Sequence, residues 1–542
     1  MLKKNDIIPL TIESITNEGN GIGHADGIAV FVPMSAAGDV LQVRIVKVQK
    51  SYCYGIIEEI LTPSPDRIEP DCPCYKRCGG CSLRHITYEA ELRAKTDWVR
   101  DAVQRIGGFA TEPLTILPSP CHERYRNKAQ FPFGRSESGS YTGFFAPRSH
   151  TVIPCGDCAL QPKEFSEIAA WVCHFADRHK LTIYNEQSGK GLLRHLYLRQ
   201  AATDGSIMLC LIINGRRMPQ AEQFAQEAQA AFPSIATVLL NHNTRRDNVI
   251  LGAEQTVLTG SGILHDTMCG ISVSLSAHSF YQVNHDSAEQ LYREAARLAA
   301  LKPQETLLDL YCGVGTIGLS MVQPEQKLIG VEVVPSAVEN AKENARRAGV
   351  KDAEFLCADA GKASQILAER GLRPDVVVLD PPRKGCDSAT LDAIVHMAPS
   401  RIVMVSCNPA TMARDAAVLR EKGYTLQCYR PVDLFPRTAH CETICLLSKL
   451  NAKQHIEINL DMDELDLTDA EKKATYQEIK DYVLEHSGLK VSSLYIAQVK
   501  QKCGIIEREN YNKPKSEDAK QPQCPPDKEK AIKEALTHFG MI

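Results

Sequence analysis

An α/β architecture with a small β-barrel in front of it is what this sequence predicts, on three observations. From Pro303 to about Leu450, apolar strand-like runs alternate with helical stretches. Residues 1–60 instead hold about five short strand-like runs separated by turn residues. At 542 residues the chain exceeds what one hydrophobic core carries, so about three or four domains are expected. Hydrophobic residues at 44% and charged residues at 24% exclude a disordered or collagen-like chain. With 62 Lys and Arg against 66 Asp and Glu, the net charge of −4 gives no global pull toward nucleic acid or acidic lipid, so any polyanion site has to be a local patch. There is no run of about 18 uncharged apolar residues, and MLKKNDIIPLTIES is too polar for an export signal. The expected location is therefore the cytoplasm, where 20 cysteines point to metal ligation, catalysis or burial rather than disulfides.

The front module, residues 1–60, reads as IIPLTIESI, IAVFVP, VLQVRIVKV and YCYGIIEEIL around a glycine-rich turn at Gly19–Gly27. Arg44, Lys47 and Lys50 offer it a basic face for RNA; a solubilising domain without a ligand fits the same residues. A Pro-rich linker, Leu61–Pro73, leads to CPCYKRCGGCSLRH. The next stretch, residues 88–108, is helical, with Leu92, Trp98, Val99, Val103 and Ile106 on one face. Residues 61–285 form a central domain of mixed strands and helices, with strands at LLRHLYLR, IMLCLII and ATVLLN and a topology the pattern leaves open. Residues 286–450 are the α/β unit, to which helix 88–108 is a candidate packing partner. Residues 451–542 form a helical extension of unassigned role, with a capping box at Thr468 and Glu471 and helices at VSSLYIAQVKQK and AIKEALTHF.

Chemistry enters at ETLLDLYCGVGTIGLSM. Its strand, Leu307–Leu310, runs into a turn with Gly313, Gly315 and Gly318, and a second strand ends at Glu332. Glycines let backbone approach a ligand closely, and a carboxylate at the second strand end accepts both hydroxyls of a ribose. The D-x-x-C-G-x-G form, with Asp309 before the turn, looks like the first motif of S-adenosylmethionine-dependent methyltransferases rather than a nicotinamide fingerprint. Two more strand ends add Asp380, from VVVLDPPRKGC, and Cys407, from RIVMVSCNPATMARD. In open α/β sheets such ends face one crevice. A loop, PVDLFPRTAHCET, adds Asp433, His440 and Glu442.

A thiol and a carboxylate beside a methyl sulfonium suit one reaction. Uracil C5 becomes nucleophilic only after a thiolate adds at C6, and the C5 proton must later leave to a general base. Cys407 is the candidate nucleophile and Glu442 the candidate base. An ordinary thiol is mostly protonated at neutral pH, so hydrogen bonds or positive charge near Cys407 are expected.

The set DLYCGVGT, LDPPRKG, SCNPAT and DLFPRTAHCE, with SFYQVN before it, resembles the RNA 5-methyluridine methyltransferases over roughly residues 5–450. That resemblance implies a Rossmann-like class I methyltransferase domain in which Gln282, Tyr311, Glu332 and Asp380, beside Gly313 and Gly315, contact S-adenosylmethionine. It places Asp359 on the adenine side, Cys407 at C6 and Glu442 as base, whereas Thr316 departs from the Asn of one branch. Cys72, Cys78 and Cys81 form C-x5-C-x2-C, and the fourth ligand comes from Cys155 or Cys158; by spacing alone such a set holds zinc or a [4Fe-4S] cluster. The resemblance implies the cluster, on Cys72, Cys78, Cys81 and Cys158, as in the ribosomal-RNA branch. The front module is similar to a TRAM domain, which with the cysteines implies a 23S ribosomal RNA substrate and a monomeric enzyme; a transfer-RNA enzyme and a non-catalytic RNA-binding factor are the alternatives. Arg124–Gly134, RYRNKAQFPFG, mixes cations and aromatics as single-stranded RNA binding wants, and the target uridine must flip out of its stack.

Overall fold

The computed structural model describes residues 2–449, 476–503 and 524–539. The capping box at Thr468 and Glu471 lies outside them. Two compact units result, one up to Ala452 and one from Lys453. In the second, helices Tyr476–Ser487, Ser493–Lys502 and Pro526–His538 enclose a core of Ile479, Val483, Ile496, Val499, Ile532 and Leu536. Among the described residues no helix is long and apolar enough to cross a membrane.

The front module is a curled six-stranded sheet in the order 7–11, 40–48, 52–62, 28–33, 20–25, 14–15. Alternation sets its inside: Val30, Val32, Val43, Ile45 and Cys53 are fully buried while their neighbours face out. The predicted turn at 19–27 is instead the strand Asn20–Ala25 and its hairpin. Its glycines serve close packing, since a Cβ on Gly21 would lie 2.0 Å from Ser35 Oγ and one on Gly23 2.2 Å from Thr11 O. Arg44 is spent on Glu58, which it grips through two hydrogen bonds of 2.8 and 2.7 Å, so it adds no free charge to the basic face.

The middle of the chain forms a seven-stranded sheet ordered 254–259, 235–242, 207–213, 193–200, 128–136, 139–145, 152–154. Helices Lys163–Arg178 and Ala221–Ala231 bury Phe165, Phe175 and Phe224 against it. The three predicted strands are all present, and Phe131 and Phe133 of the RYRNKAQFPFG segment lie in this core. That segment is therefore mostly structural: Arg124 pairs with Asp157 at 2.5 Å and buried Tyr125 donates to Pro436 O at 2.9 Å.

The third sheet contains β1 (Thr306–Leu310), β2 (Lys327–Glu332), β3 (Asp352–Cys357), β4 (Val376–Leu379), β5 (Arg401–Ser406), β6 (Tyr424–Val432) and β7 (Glu442–Lys449), in the order β3-β2-β1-β4-β5-β7-β6. The first five are parallel and β7 runs antiparallel to both β5 and β6. Parallel strands buried on both faces require continuous apolar runs, which is why LLDL, VVVL and IVMV carry almost no alternation. The order reverses between β1 and β4, and a crevice opens at that switch point outside the strand ends.

Helix Tyr88–Asp101 packs on this sheet through Val99, continued by Val103 of the turn that follows it. Its fully buried face also carries Glu91 and Lys95, a polar pair that apolar periodicity misses. A π-helical turn over Ala102–Ile106 follows and rotates Ile106 off the face, leaving it exposed rather than buried as predicted.

Candidate active site

The crevice begins where β1 ends. Tyr311, Gly313 and Gly315 take left-handed φ values of 66°, 55° and 82°, turning the chain sharply into helix Thr316–Met321. Gly318 seats that helix on β1: its N–H donates to Asp309 Oδ2 at 2.9 Å, where a Cβ would come within 2.7 Å of the same oxygen. Glu332, closing β2, holds its carboxylate open to the crevice by accepting from Gly313 N–H at 3.1 Å and Val334 N–H at 2.8 Å. Beside it Val333 and Val334 stand exposed, an apolar surface for a flat ligand.

Asp380 follows β4 at the floor of the crevice, and burial pushes its carboxyl up to about 7. Buried Tyr292, from helix His285–Ala299, is pushed above the usual phenol range by burial and by Asp380, with the side chains of Thr316 and Gln282 pulling the other way. Gln282, Thr316 and Asp380 thus all stand close to the Tyr292 hydroxyl. Tyr311 packs on the sheet core. Asp359 caps helix Ala360–Glu369, accepting from Gly361 N–H at 3.1 Å and Lys362 N–H at 3.3 Å.

Strand register brings Cys407 and Glu442 together. Ser406 pairs with Thr443 across the antiparallel β5–β7 ladder, so the residue after β5 and the first residue of β7 emerge side by side. The thiol of Cys407 is raised by burial and by the negative charges of Glu442 and Asp380, while Arg383 opposes. Glu442, 6% exposed, is pushed up to about 8 by burial and Asp380, again against Arg383. Arg383 is the cation expected near the thiol: its Nη2 donates to His440 Nδ1 at 3.2 Å, and its carbonyl accepts from Asn408 Nδ2 at 3.0 Å. Burial and that guanidinium keep His440 below the ordinary imidazole value, favouring the neutral ring.

The loop carrying these groups is anchored from beneath. Lys95 Nζ bonds Asp433 Oδ1 at 2.6 Å, Glu91 Oε1 at 2.7 Å and Phe435 O at 3.1 Å. Tyr88 donates to Asp433 Oδ2 at 2.7 Å, and Asn284 Nδ2 donates to Leu434 O at 3.0 Å. Asp433 is thus a fully buried tether rather than a group facing the crevice.

In front of Cys407 lies a cavity of about 1170 Å³, bounded by Ser14–Glu18 of the front module, Trp98, Arg126, His440 and the cysteine loops. Cys72, Cys74, Cys78, Cys81, Cys155 and Cys158 all line it. Cys74 donates to Pro154 O at 3.2 Å. The neighbouring Cys155 thiol and nearby backbone N–H groups lower the thiol of Cys158, burial opposing. Burial pushes Cys81 up to about 12, and Arg84, clamped by Asp71 and Glu123, pulls the other way. The donor chemistry suits a metal or an iron–sulfur cluster, yet among the described residues no group of three or more His, Cys, Asp or Glu forms a closed ligand set.

Sequence reasoning singled out Gln282, Tyr311, Gly313, Gly315, Glu332, Asp380, Cys407 and Glu442, and all are on this side of the sheet. It named Arg126 only within the Arg124–Gly134 segment and passed over Tyr292, Arg383 and Lys95. Arg383 directly follows the Asp-Pro-Pro turn, which was a usable signal; the others depend on tertiary contacts. Phe280 in SFYQVN is 72% exposed.

Comparisons with known proteins agree with this geometry. Residues 2–57 match the TRAM domain. An uncharacterised RNA methyltransferase of Halalkalibacterium halodurans is 40% identical over 453 residues, covering 83% of this chain and 98% of the relative; one from Clostridium tetani is 38% identical over 453 residues, covering 84% and 98%. The tRNA (uracil-54, C5)-methyltransferase of Pyrococcus abyssi, solved with S-adenosyl-L-homocysteine, superposes with a TM-score of 0.65 at 24% identity, over 81% of this chain and 100% of its own, which establishes a shared class I methyltransferase fold. Because residues 87–450, helix 88–101 and all three strand-end motifs included, match the tRNA (uracil-5-)-methyltransferase profile, the chain belongs to that family of RNA methyltransferases.

Proposed function

We propose that this RNA uracil-5-methyltransferase acts on 23S ribosomal RNA, with Cys407 as nucleophile and Glu442 as base. The observation that carries the reading is the side-by-side emergence of those two residues at the rim of the crevice bearing Glu332 and Asp380. S-adenosylmethionine, held by Glu332, Asp380 and Gln282 with the Gly313–Gly315 turn, supplies an electrophilic methyl group when bound. The Cys407 sulfur bonds to C6, and the electron pair moved to C5 takes the methyl. Glu442 accepts the C5 proton; the C5–C6 double bond re-forms and the thiolate leaves. A carboxyl raised to about 8 is a stronger base than an ordinary one. Arg383 favours the ionised form of both groups and holds His440 at the same rim.

Choice of substrate rests on the cysteines. The Pyrococcus abyssi match spans 81% of this chain, so the fold alone does not separate ribosomal from transfer RNA. In this reading Cys72, Cys78, Cys81 and Cys158 hold a structural [4Fe-4S] cluster in a central domain, residues 61–285, and the enzyme works as a monomer in the cytoplasm. A transfer-RNA substrate is the second reading, favoured by the name of that structural neighbour.

RNA carrying 5-fluorouridine tests the chemistry, because fluorine at C5 cannot leave as a proton. The expected result is a covalent protein–RNA adduct that Cys407→Ala abolishes; an adduct that persists in that variant overturns the assignment. Mass spectrometry of ribosomal and transfer RNA from cells lacking the protein decides the substrate by which one loses 5-methyluridine.

A further inference from the structure

One register line crosses the front module. Ser14 pairs with Ile22, Ile22 with Phe31, Phe31 with Tyr54 and Tyr54 with Lys47. Paired residues share a face, so these five side chains form a row across five strands, about 19 Å at the usual strand spacing. Its first members, Ser14 and Ile22, line the cavity that contains Cys407. Its last, Lys47, is exposed, and Lys50 is exposed just beyond; among the described residues neither has an ion-pair partner.

The middle of the row is aromatic. Phe31 lies with its ring centroid 5.6 Å from Tyr52 and 5.6 Å from Tyr54, and the two tyrosines are 5.7 Å apart. All three are half-buried on the outer surface, while the alternating inner residues Val30, Val32 and Cys53 already fill the core. The module does not need these rings for its interior. Arg44, the neighbouring cation, is neutralised by Glu58, which leaves Lys47 and Lys50 as the charges at this end. Such a sequence, cavity mouth, then apolar and aromatic surface, then free ammonium groups, matches a single strand of nucleic acid whose bases stack and whose phosphates seek cations. Glu18 and Asp101 also lie at the mouth, Asp101 beside Arg105 at 3.4 Å.

We infer that this row is a stacking track for the single-stranded RNA that flanks the target uridine, leading from the Cys407 cavity over Ile22, Phe31, Tyr52 and Tyr54 to Lys47. The inference rests on the reading of RNA as substrate and adds where the flanking strand runs. It concerns binding, so it is tested without methyl transfer.

The full-length protein is titrated into a fluorescein-labelled single-stranded oligouridylate and followed by anisotropy. Phe31→Leu with Tyr54→Leu is expected to weaken binding by about 5-fold or more per ring. Lys47→Gln, an exposed change that leaves folding intact, is expected to reduce the salt dependence by about one counterion. Ultraviolet crosslinking of a 4-thiouridine oligonucleotide to the unaltered protein is expected to label peptides containing Phe31 and Tyr52–Tyr54, and equally so in Cys407→Ala. Unchanged affinity in both variants, or crosslinks confined to other segments, overturns the track. Labelled rings in a protein that methylates no RNA support the track and remove the catalytic reading instead.

Discussion

Lys95 and Asp433, 338 residues apart in sequence, meet in a fully buried ion pair at 2.6 Å, and Glu91 shares the same ammonium at 2.7 Å. Helix Tyr88–Asp101 thereby holds the loop that delivers His440 and Glu442. Arg437, at a left-handed φ of 66°, adds a backbone N–H to Glu91 at 2.7 Å.

Removing the cation leaves two buried carboxylates facing each other, with the Tyr88 hydroxyl, the Arg437 N–H and the Arg437 guanidinium at 3.8 Å as their remaining partners. Lys95→Met is expected to cost about 3–5 kcal/mol of stability, because breaking a buried pair strands the partner charge. Urea unfolding measures it, and a loss under about 1 kcal/mol would show that water reaches these carboxylates.

Arg383 opposes the negative charge that raises both Cys407 and Glu442. In Arg383→Met both groups should therefore titrate higher, with about tenfold less of the ionised form for each unit of rise. The expected pH–rate profile of methyl transfer moves to the alkaline side: the variant is slow at neutral pH and recovers part of the loss as pH increases. A uniform loss at every pH assigns Arg383 to RNA binding instead.

Much of this was legible beforehand, for identifiable reasons. Strands buried on both faces advertise themselves as apolar runs, and their polar terminators, Asp380 and Cys407, mark the crevice. What stayed hidden depends on partners distant in sequence. Gly21 and Gly23 read as a turn because nothing local announces that Ser35 Oγ and Thr11 O lie against them. Lys95 and Glu91 look like an exposed i,i+4 pair until Asp433 is placed beside them. The RYRNKAQFPFG segment has the composition of an RNA strand binder, but its phenylalanines alternate inward and only Arg126 reaches the cavity.

The acid cluster at the crevice makes stability depend on pH. Burial raises Asp309 from 3.8 to about 8, Asp380 from 3.8 to about 7 and Glu442 from 4.5 to about 8. The folded state thus binds protons that the unfolded chain has released, so this contribution is complete below about pH 4 and is lost as pH rises through 7 to 8. The denaturation midpoint of the ligand-free protein should fall between about pH 5.5 and 8.5, and Asp380→Asn should flatten the slope. A midpoint rising over that range contradicts the protonated cluster.

The two thiols of CGDC are expected to differ. Cys155 and Cys158 form a buried pair that resists ionising twice: their mutual proximity lowers the thiol of Cys158 and raises that of Cys155, burial adding to the rise. Only a thiolate ligates iron, and in the proposed ligand set Cys158 is the member of the pair that carries that charge while Cys155 stays outside the set. Protein purified without air should contain about four iron atoms per chain, with Cys158→Ser losing most of them and Cys155→Ser keeping most. A serine hydroxyl does not replace the sulfur that Cys158 supplies, whereas Cys155 supplies none to the proposed cluster. Equal loss of iron in the two variants would make both thiols ligands, and iron-free protein in every preparation would remove the cluster from the proposed function.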